Sequence, residues 1–233
     1  MIFPAPIQEG VLIQRYKRFL ADIDLNGEMI TAHCANPGSM MGVQDKGAAV
    51  WVSKAQNKSR KLKWDWQVIE VDGARVCINT ATANPIVEEA ILAGKIPELS
   101  GYESFRREVK YGQNSRIDFR LEDPARPLCY LEIKNVTLSR TPGLAEFPDS
   151  PTARGTKHLI ELSDMVREGH RAVMLYLVNR TDCSSFKLAE DIDPNYAARY
   201  AKAIGIGVES LVFRTDIIED GITLNSALPT RKP

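Results

Sequence analysis

The sequence predicts an α/β protein (α+β overall) in two parts, a small β-barrel followed by a domain with a mixed central sheet. Two observations predict it. Strand-like runs separated by tight turns fill most of the first 80 residues, and after Asn84-Pro85 helical and strand-like segments alternate instead. We therefore predict a boundary at that point, with domains at residues 1–83 and 84–233.

Two hairpin signals define the N-terminal part. Asn26-Gly27 and Asp72-Gly73 each separate two strand-like segments, and both dipeptides suit the type I′ turn of a β-hairpin. The predicted strands are residues 19–25, 28–33, 48–53, 62–71 and 74–80. Five short strands in so short a stretch are typical of a small barrel such as the OB-fold.

The C-terminal part reads as a helix, a three-strand meander, and then helix, strand, helix and strand. Pro85 suits the first turn of the first helix, and Gly94 suits its end. The predicted helices are residues 86–94, 153–168 and 195–204, and the predicted strands are 105–111, 116–121, 128–136, 172–178 and 208–213. This order predicts a sheet that is buried on at least one face.

The bulk composition narrows the class of protein. Thirty Lys and Arg balance thirty Asp and Glu, so any nucleic-acid binding must use local basic patches. The four cysteines, which are widely spaced, predict buried free thiols in a reducing compartment. No signal peptide and no long apolar run is present, so we expect a cytoplasmic protein without a membrane partner.

A polar triplet lies on the second and third strands of the meander. If these strands form an antiparallel hairpin centred on Ala125, then Asp118 faces Glu132, and Lys134 lies on the same face. The opposite, apolar face would then consist of Ile117, Phe119, Leu121, Cys129, Leu131 and Ile133.

Two facing carboxylates repel by a few kcal/mol at an intermediate effective dielectric constant, so a cation is expected between them. Mg²⁺ (or Mn²⁺) suits Asp118 and Glu132, because it takes oxygen ligands and keeps waters for a phosphate substrate. Lys134 would then orient or deprotonate the attacking water. The triplet predicts a site for phosphodiester hydrolysis.

The flanking segments offer further members of this site. Glu88 or Glu89 lies in the preceding helix, and Lys157 with His158 lies in the following one. Glu108 stays open, because a shift of one residue in strand register moves its side chain to the other face. A Glu and a Lys two residues apart also occur on solvated strand faces, so the prediction depends on the whole set.

Basic and aromatic residues are interleaved between Trp51 and Trp66, a pattern that suits phosphate contacts and base stacking. A second basic cluster lies at residues 15–19. The candidate nucleic-acid-binding residues are Arg15, Lys17, Arg18, Lys58, Arg60, Lys61, Lys63 and Trp64. The alternative is that the tryptophans are core residues and 58–63 is a solvated loop.

The segment from His33 to Met40 contains one His and one Cys, too few for a structural zinc site. Its Asn-Pro-Gly turn could still present backbone amides to a phosphate or another anion. No Gly-x-Ser-x-Gly elbow and no Gly-rich nucleotide loop is present, which argues against a serine hydrolase, an ATPase or a Rossmann enzyme.

Several segments together resemble the sugar fermentation stimulation protein A family of bacteria and archaea. They are residues 12–22, 33–40, 99–102, 108–112, 115–119, 132–134, 147–149 and 154–159. The resemblance implies an OB-like domain joined to a restriction-endonuclease-like domain of the PD-(D/E)XK type. It also implies DNA binding without sequence preference and a catalytic set of Glu89, Asp118, Glu132 and Lys134, with Lys157 from the following helix.

Two functions remain open at this point. One is a Mg²⁺-dependent nuclease that acts on DNA or RNA. The other is a non-catalytic DNA-binding regulator of sugar (maltose) metabolism genes, a role that the family resemblance implies. The absence of a helix-turn-helix or other base-reading motif argues against a sequence-specific version of this regulator. The sequence leaves the substrate strandedness and the oligomeric state open, a homodimer included.

Overall fold

The computed structural model describes residues 1–231, which begin with a β-barrel. Its strands and their hairpin extension are β1 (Ile7–Tyr16), β2 (Leu20–Leu25), β3 (Glu28–Cys34), β4 (Ala49–Lys54), β5 (Trp64–Val71) and β6 (Ala74–Cys77). The order is β3-β2-β1-β4-β5-β6, and a parallel pairing of β3 with β5 closes the first five strands. The closed five-strand barrel confirms the OB-like prediction.

The identity of the five barrel strands differs from the prediction in one place. The barrel uses β1, which the sequence did not predict, and β6 extends the β5 hairpin outside the closed barrel. Only Leu12 of β1 is fully buried, so the strand lacks the alternation that would mark it. At Gly10, a Cβ atom would lie 2.8 Å from the Asp24 carbonyl oxygen, which explains a glycine where β1 passes β2.

The second domain is built on a six-stranded mixed sheet. Its strands are β7 (Ser104–Tyr111), β8 (Ser115–Glu122), β9 (Cys129–Val136), β12 (Arg171–Val178), β14 (Glu209–Ile218) and β15 (Gly221–Ala227), in the order β15-β14-β12-β9-β8-β7. β12 runs parallel to both β9 and β14, and the other pairs are antiparallel. This arrangement confirms the mixed central sheet.

Helices cover both faces of this sheet. They are α1 (Ala83–Leu92), α2 (Ala153–Arg167) and α3 (Pro194–Ile206). On one face, α1 packs in a cluster that includes Phe119 and Leu131, and on the other, α2 and α3 pack around Tyr176. The three predicted helices are therefore confirmed, and the candidate site lies where α1 and α2 approach the β8–β9 pair.

Four strands of the second domain were not predicted. β10 (Leu138–Thr141), β11 (Leu144–Phe147) and β13 (Ser185–Leu188) form a small separate sheet, and β15 adds an edge to the large one. β10, β11 and β13 have four residues each, too few for a clear period, and β15 alternates buried and exposed residues only in part.

The barrel and the second domain share a core and a strand junction. Trp51 and Val68 of the barrel lie in the same apolar cluster as Phe119 and Leu131. The Cys77 N–H donates to the Asn179 carbonyl at 2.9 Å, and Thr181 N–H donates to the Arg75 carbonyl at 3.1 Å. Helix α1 begins at Ala83, so the boundary after residue 83, which stays a prediction, falls at the start of this helix.

The four cysteines are buried and free, as expected from their spacing. They are Cys34, Cys77, Cys129 and Cys183, and burial raises the pKa of the Cys77 thiol to about 11. Within residues 1–231, no helix is both long enough and apolar enough to cross a membrane.

Candidate functional site

Asp118 lies on β8 in the register that the sequence predicts for the β8–β9 hairpin. The paired residues are Phe119 with Leu131 and Leu121 with Cys129, a register that places Glu132 opposite Asp118. At Asp118 the ladder gives way to side-chain contacts, and the Ile133 N–H donates to Asp118 Oδ2 at 2.7 Å.

The edge strand next to Asp118 is kinked. Arg107 pairs with Phe119 and Val109 with Ile117, so Glu108 lies opposite Asp118, and its φ of 53° is unusual for a strand. The prediction that Ile117 shares one apolar face with Phe119 is wrong, because Ile117 packs in the cluster on the α2 side and Phe119 packs on the α1 side. The strand pair therefore twists at the position of Asp118.

Burial and a neighbouring charge hold Asp118 in an unfavourable environment. Burial, followed by the negative charge of Glu132, raises the pKa of Asp118 from 3.8 to about 6. Asn84 of α1 donates from Nδ2 to Asp118 Oδ1 at 2.9 Å, which opposes the shift without cancelling it. A carboxylate kept close to another carboxylate under such conditions is a candidate cation ligand.

Glu132 and Lys134 lie on the α2 side of β9. Lys134 Nζ lies 2.8 Å from Glu132 Oε1, and both side chains are largely buried. Burial raises the pKa of Glu132, but the charges and hydrogen bonds of Lys134 and His158 outweigh it, so its pKa is lowered from 4.5. Glu132 is therefore ionised at neutral pH, and its other oxygen, Oε2, is buried without a hydrogen-bond partner among the described residues.

The residue that α2 brings to this cluster is His158. Its Nδ1 contacts Glu132 Oε1 and lies 3.3 Å from Lys134 Nζ, and its Nε2 lies 3.4 Å from Arg154 Nε. The sequence had named Lys157 together with His158, and the family resemblance had singled out Lys157. The spacing of His158, Leu162 and Met165 on the buried stripe of α2 is the signal that could have identified the histidine.

Lys157 points elsewhere. Its Nζ donates to the Gln113 carbonyl at 2.5 Å and lies 3.6 Å from Glu161 Oε1. The structure therefore does not bring Lys157 into contact with Glu132 or Lys134, because adjacent helical residues point about 100° apart.

Glu89 of α1 also lies outside the cluster. It forms an ion pair with the amino group of Met1. Glu88 instead lies one turn after Asn84, on the helix face that contacts Asp118, and it pairs with Arg107 at 3.0 Å. Of the two glutamates that the sequence left as alternatives, Glu88 lies on the helix face of Asn84, and Glu89 pairs with the amino group of Met1.

The donor set suits a hydrated divalent cation. Asp118 and Glu132 occupy opposed positions on paired strands, and one of their oxygens, Glu132 Oε2, has no partner among residues 1–231 and is cut off from solvent. No group of three or more His, Cys, Asp or Glu side chains within residues 1–231 could hold a metal ion by itself. Mg²⁺ fits this pattern because it is commonly bound by one or two carboxylates and keeps several waters.

The basic residues of the barrel fall in two loops. Lys17 and Arg18 form the β1–β2 turn, and Lys58 and Lys61 lie in the β4–β5 loop; all four are exposed, without a side-chain ion pair to any residue in 1–231. These are the two loops that OB-folds use to bind oligonucleotides. In the β1–β2 turn, the exposed Phe19 ring stacks on His33 of β3, at 6.5 Å between centroids.

The remaining predicted barrel residues have internal partners. Arg60 forms a bidentate pair with Asp65, Lys63 donates to the Lys58 carbonyl at 2.7 Å, and Lys54 lies over the Trp64 ring. The guanidinium of Arg15 donates to the carbonyls of Asn36 and Gly38 at 3.0 Å each. Trp51 and Trp66 are core residues, so the alternative interpretation holds for these two tryptophans.

The segment from His33 to Met40 joins the barrel to the second domain. The Met40 N–H donates to Asp149 Oδ2 at 2.9 Å, and the Ser39 hydroxyl donates to the Asp149 carbonyl at 2.7 Å. A Cβ atom at Gly38 would lie 2.8 Å from the same carboxylate. Of the anions that the sequence left open for this loop, a phosphate or another anion, the structure places a carboxylate of the chain itself at the Met40 amide.

Comparison with known proteins agrees with this architecture. The family model for the sugar fermentation stimulation protein RE domain matches residues 81–221, and the model for the SfsA N-terminal OB domain matches residues 13–78. The structure of Pyrococcus furiosus SfsA in complex with Ca²⁺ superposes with a TM-score of 0.91 at 24% identity, covering 100% of this chain and 98% of that one. At this identity, the likeness shows the fold.

Closer relatives share the whole length. A sugar fermentation stimulation protein homolog from Ruegeria sp. (strain TM1040) is 53% identical over 232 residues, which span 99% of this chain and 100% of that protein. A homolog from Rhodospirillum rubrum is 52% identical over 245 residues and covers both chains completely. The chain therefore belongs to the sugar fermentation stimulation protein family, with an OB-type barrel followed by an RE domain.

Proposed function

We propose that this protein is a nuclease that hydrolyses DNA without sequence preference and depends on Mg²⁺ or Mn²⁺. The observation that carries the proposal is the buried, unpartnered Oε2 of Glu132 in a cluster with Asp118 and Lys134. An unsatisfied buried acceptor destabilises a fold by about 1–3 kcal/mol, and a cation bound at Glu132 Oε2 would remove that cost.

Each residue of the cluster has a distinct role in the proposal. Asp118 and Glu132 would hold the ion, which supplies charge stabilisation at the phosphoryl oxygens. Lys134 orients the attacking water and His158 holds Lys134 and Glu132 in place, since it contacts both. The Pyrococcus furiosus protein is described in complex with Ca²⁺, and we extend divalent-ion binding to this chain.

The barrel supplies the nucleic-acid contacts in this proposal. Lys17, Arg18, Lys58 and Lys61 are exposed on the two loops that bind oligonucleotides in OB-folds. Contacts from such residues go to phosphates, so binding should be insensitive to sequence and should weaken steeply with salt.

The test is cleavage of labelled single-stranded, duplex and hybrid oligonucleotides, with RNA included, in Mg²⁺ or Mn²⁺. Wild type is compared with Asp118→Ala and Lys134→Ala, and Lys157→Ala serves as a matched control because it neighbours the cluster without joining it. Metal-dependent cutting that both variants lose and the control keeps would support the nuclease.

Binding by wild type and variants alike, with no cutting of any substrate, would overturn the nuclease. The protein would then be a DNA-binding protein without catalysis, which is the second candidate from the sequence. Cutting that survives Asp118→Ala would place the active site elsewhere.

A further inference from the structure

The tip of the β7–β8 hairpin carries two cations that face each other. Lys110 of β7 pairs directly with Arg116 of β8, and both side chains are exposed. Directly opposed residues on paired strands point to the same face with Cβ atoms about 4.5–5.5 Å apart, and like charges there are destabilising. The strand register therefore places the two positive charges side by side, an arrangement that by itself destabilises the fold.

The same hairpin shows how such a repulsion is normally relieved. Arg106 and Arg120 are also directly opposed, and Glu122 lies 3.1 Å from Arg106 and 2.7 Å from Arg120. Lys110 has no ion pair or side-chain hydrogen bond with any residue in 1–231, and Arg116 contacts only the Glu108 carbonyl, at 3.4 Å. One pair thus has an internal counter-ion, and the other lacks one within the described part of the chain.

Two concave surfaces adjoin Lys110. A recess of about 340 Å³ is lined by Lys110, Arg116 and the turn between them. A larger cavity of about 800 Å³ lies between Lys110 and α2, where Lys157 Nζ donates to the Gln113 carbonyl of the same turn at 2.5 Å. The hairpin tip is therefore open to a ligand on its surface and fastened to α2 at its turn.

The position of the tip links it to the candidate catalytic cluster. Arg116 precedes Asp118 by two residues on β8, which is about 7 Å along a strand. The turn is also fastened to α2 one residue before His158, which contacts Glu132. An anion held between Lys110 and Arg116 would therefore lie on the strand that carries Asp118, two residues from it.

We propose that Lys110 and Arg116 form a phosphate clamp that binds the backbone of the nucleic-acid strand next to the phosphodiester at Asp118 and Glu132. The proposal rests on the proposed function and adds a second contact surface, on the catalytic domain, to the loops of the barrel. The bound phosphate supplies the negative charge that Glu122 supplies to the other pair. Basic runs in the sequence do not reveal this surface, because the two cations become neighbours only across the hairpin.

The test measures binding of a labelled single strand and a labelled duplex by fluorescence anisotropy in EDTA, so that no cleavage occurs. Salt is varied for wild type, Lys110→Gln, Arg116→Gln and the double variant. Arg106→Gln is the matched control, because it lies on the same hairpin beside Glu122. Arg116→Lys keeps the charge, and urea unfolding checks that every variant is folded.

The clamp predicts a change in the slope of log Kobs against log salt. The double variant should reduce the slope by about 0.7–0.9, because one phosphate contact is lost, and each single variant should reduce it by no more than that. Arg106→Gln and Arg116→Lys should keep the wild-type slope. A folded double variant with the wild-type slope would overturn the clamp.

Two further outcomes separate this inference from the proposed function. The predicted slope changes without metal-dependent cutting would support the clamp and overturn the nuclease. Cutting with an unchanged slope would overturn the clamp and support the nuclease. Inorganic phosphate can also be added as a competitor. If it displaces the labelled strand equally from wild type and from the double variant, the clamp is overturned, because the pair then holds no backbone phosphate.

Discussion

Asp118→Asn should stabilise the metal-free protein at neutral pH. The pKa of Asp118 is raised from 3.8 to about 6, chiefly by burial and then by the charge of Glu132. Each tenfold change in a proton-binding constant corresponds to about 1.4 kcal/mol, so the ionised side chain destabilises the fold by about 3 kcal/mol at pH 8. Asparagine removes that charge with nearly the same shape.

Altered hydrogen bonding reduces the expected increase in the free energy of unfolding. In Asp118→Asn, the new amide oxygen can still accept from the Ile133 N–H, but the Asn84 side chain must turn to meet an amide instead of a carboxylate. A weakened contact of this kind costs about 1 kcal/mol, which leaves an increase of about 1–2 kcal/mol in the free energy of unfolding.

The pH dependence gives the sign of the effect. Because the folded pKa lies above the unfolded value, the wild type binds more protons when folded, and it loses stability as pH rises from about 4 to about 6. The variant lacks this loss, so it should be about 1 kcal/mol less stable than the wild type below pH 4, where only the weakened contact counts, and its advantage should reach a plateau above pH 7.

The assay is urea unfolding in EDTA from pH 3.5 to pH 8, with Asp45→Asn on the exposed surface as a control. Addition of Mg²⁺ or Mn²⁺ should stabilise the wild type in proportion to the logarithm of ion concentration and leave Asp118→Asn unchanged. A variant less stable than wild type at pH 8, or a difference that does not vary with pH, would refute this reasoning.

Three further outcomes follow from individual contacts. His158→Ala should lower the free energy of unfolding by about 1–3 kcal/mol and slow cleavage by about 100-fold or more. Lys157→Ala should change neither quantity by a comparable amount. Equal effects of the two variants in urea unfolding and cleavage assays would contradict the assigned contacts. Asp149→Ala leaves the Met40 N–H without its acceptor and should lower stability by about 1–3 kcal/mol, measured by urea unfolding, while a neutral result would argue against this junction. The four cysteines should react with a thiol reagent only after denaturation, because burial raises the pKa of Cys129 to about 12 and that of Cys77 to about 11, and rapid labelling of the native protein would contradict their burial.

The register of the β8–β9 hairpin could be predicted because two local signals agree. Apolar residues alternate on both strands, and a turn-rich segment lies between them. A single hairpin centre agrees with the alternation and with the position of the turn. The opposition of Asp118 and Glu132 follows from that register alone. The twist at Asp118 could not be predicted, since it depends on the kink at Glu108 in the neighbouring strand.

The rotation of the two helices about their axes was harder to predict from the sequence. Glu88 and Glu89 are adjacent, as are Lys157 and His158, and sequence period alone does not decide which of two neighbours faces a strand. The contacts of Asn84 with Asp118 and of His158 with Glu132 decide it, and both cross more than 20 residues of chain. Similarly, Lys110 and Arg116 become a pair only through hairpin register.

The junction between β6 and residues 179–181 affects any attempt to divide this protein. Cutting the chain between the two family matches, at residues 79–80, would expose Trp51 on one fragment and Phe119 on the other, together with unpaired backbone groups of β6. Neither fragment should then refold as a stable monomer. The intact protein should melt in a single cooperative transition. Proteins of this architecture are accordingly expected to be inherited as whole units, with little exchange of one half for another.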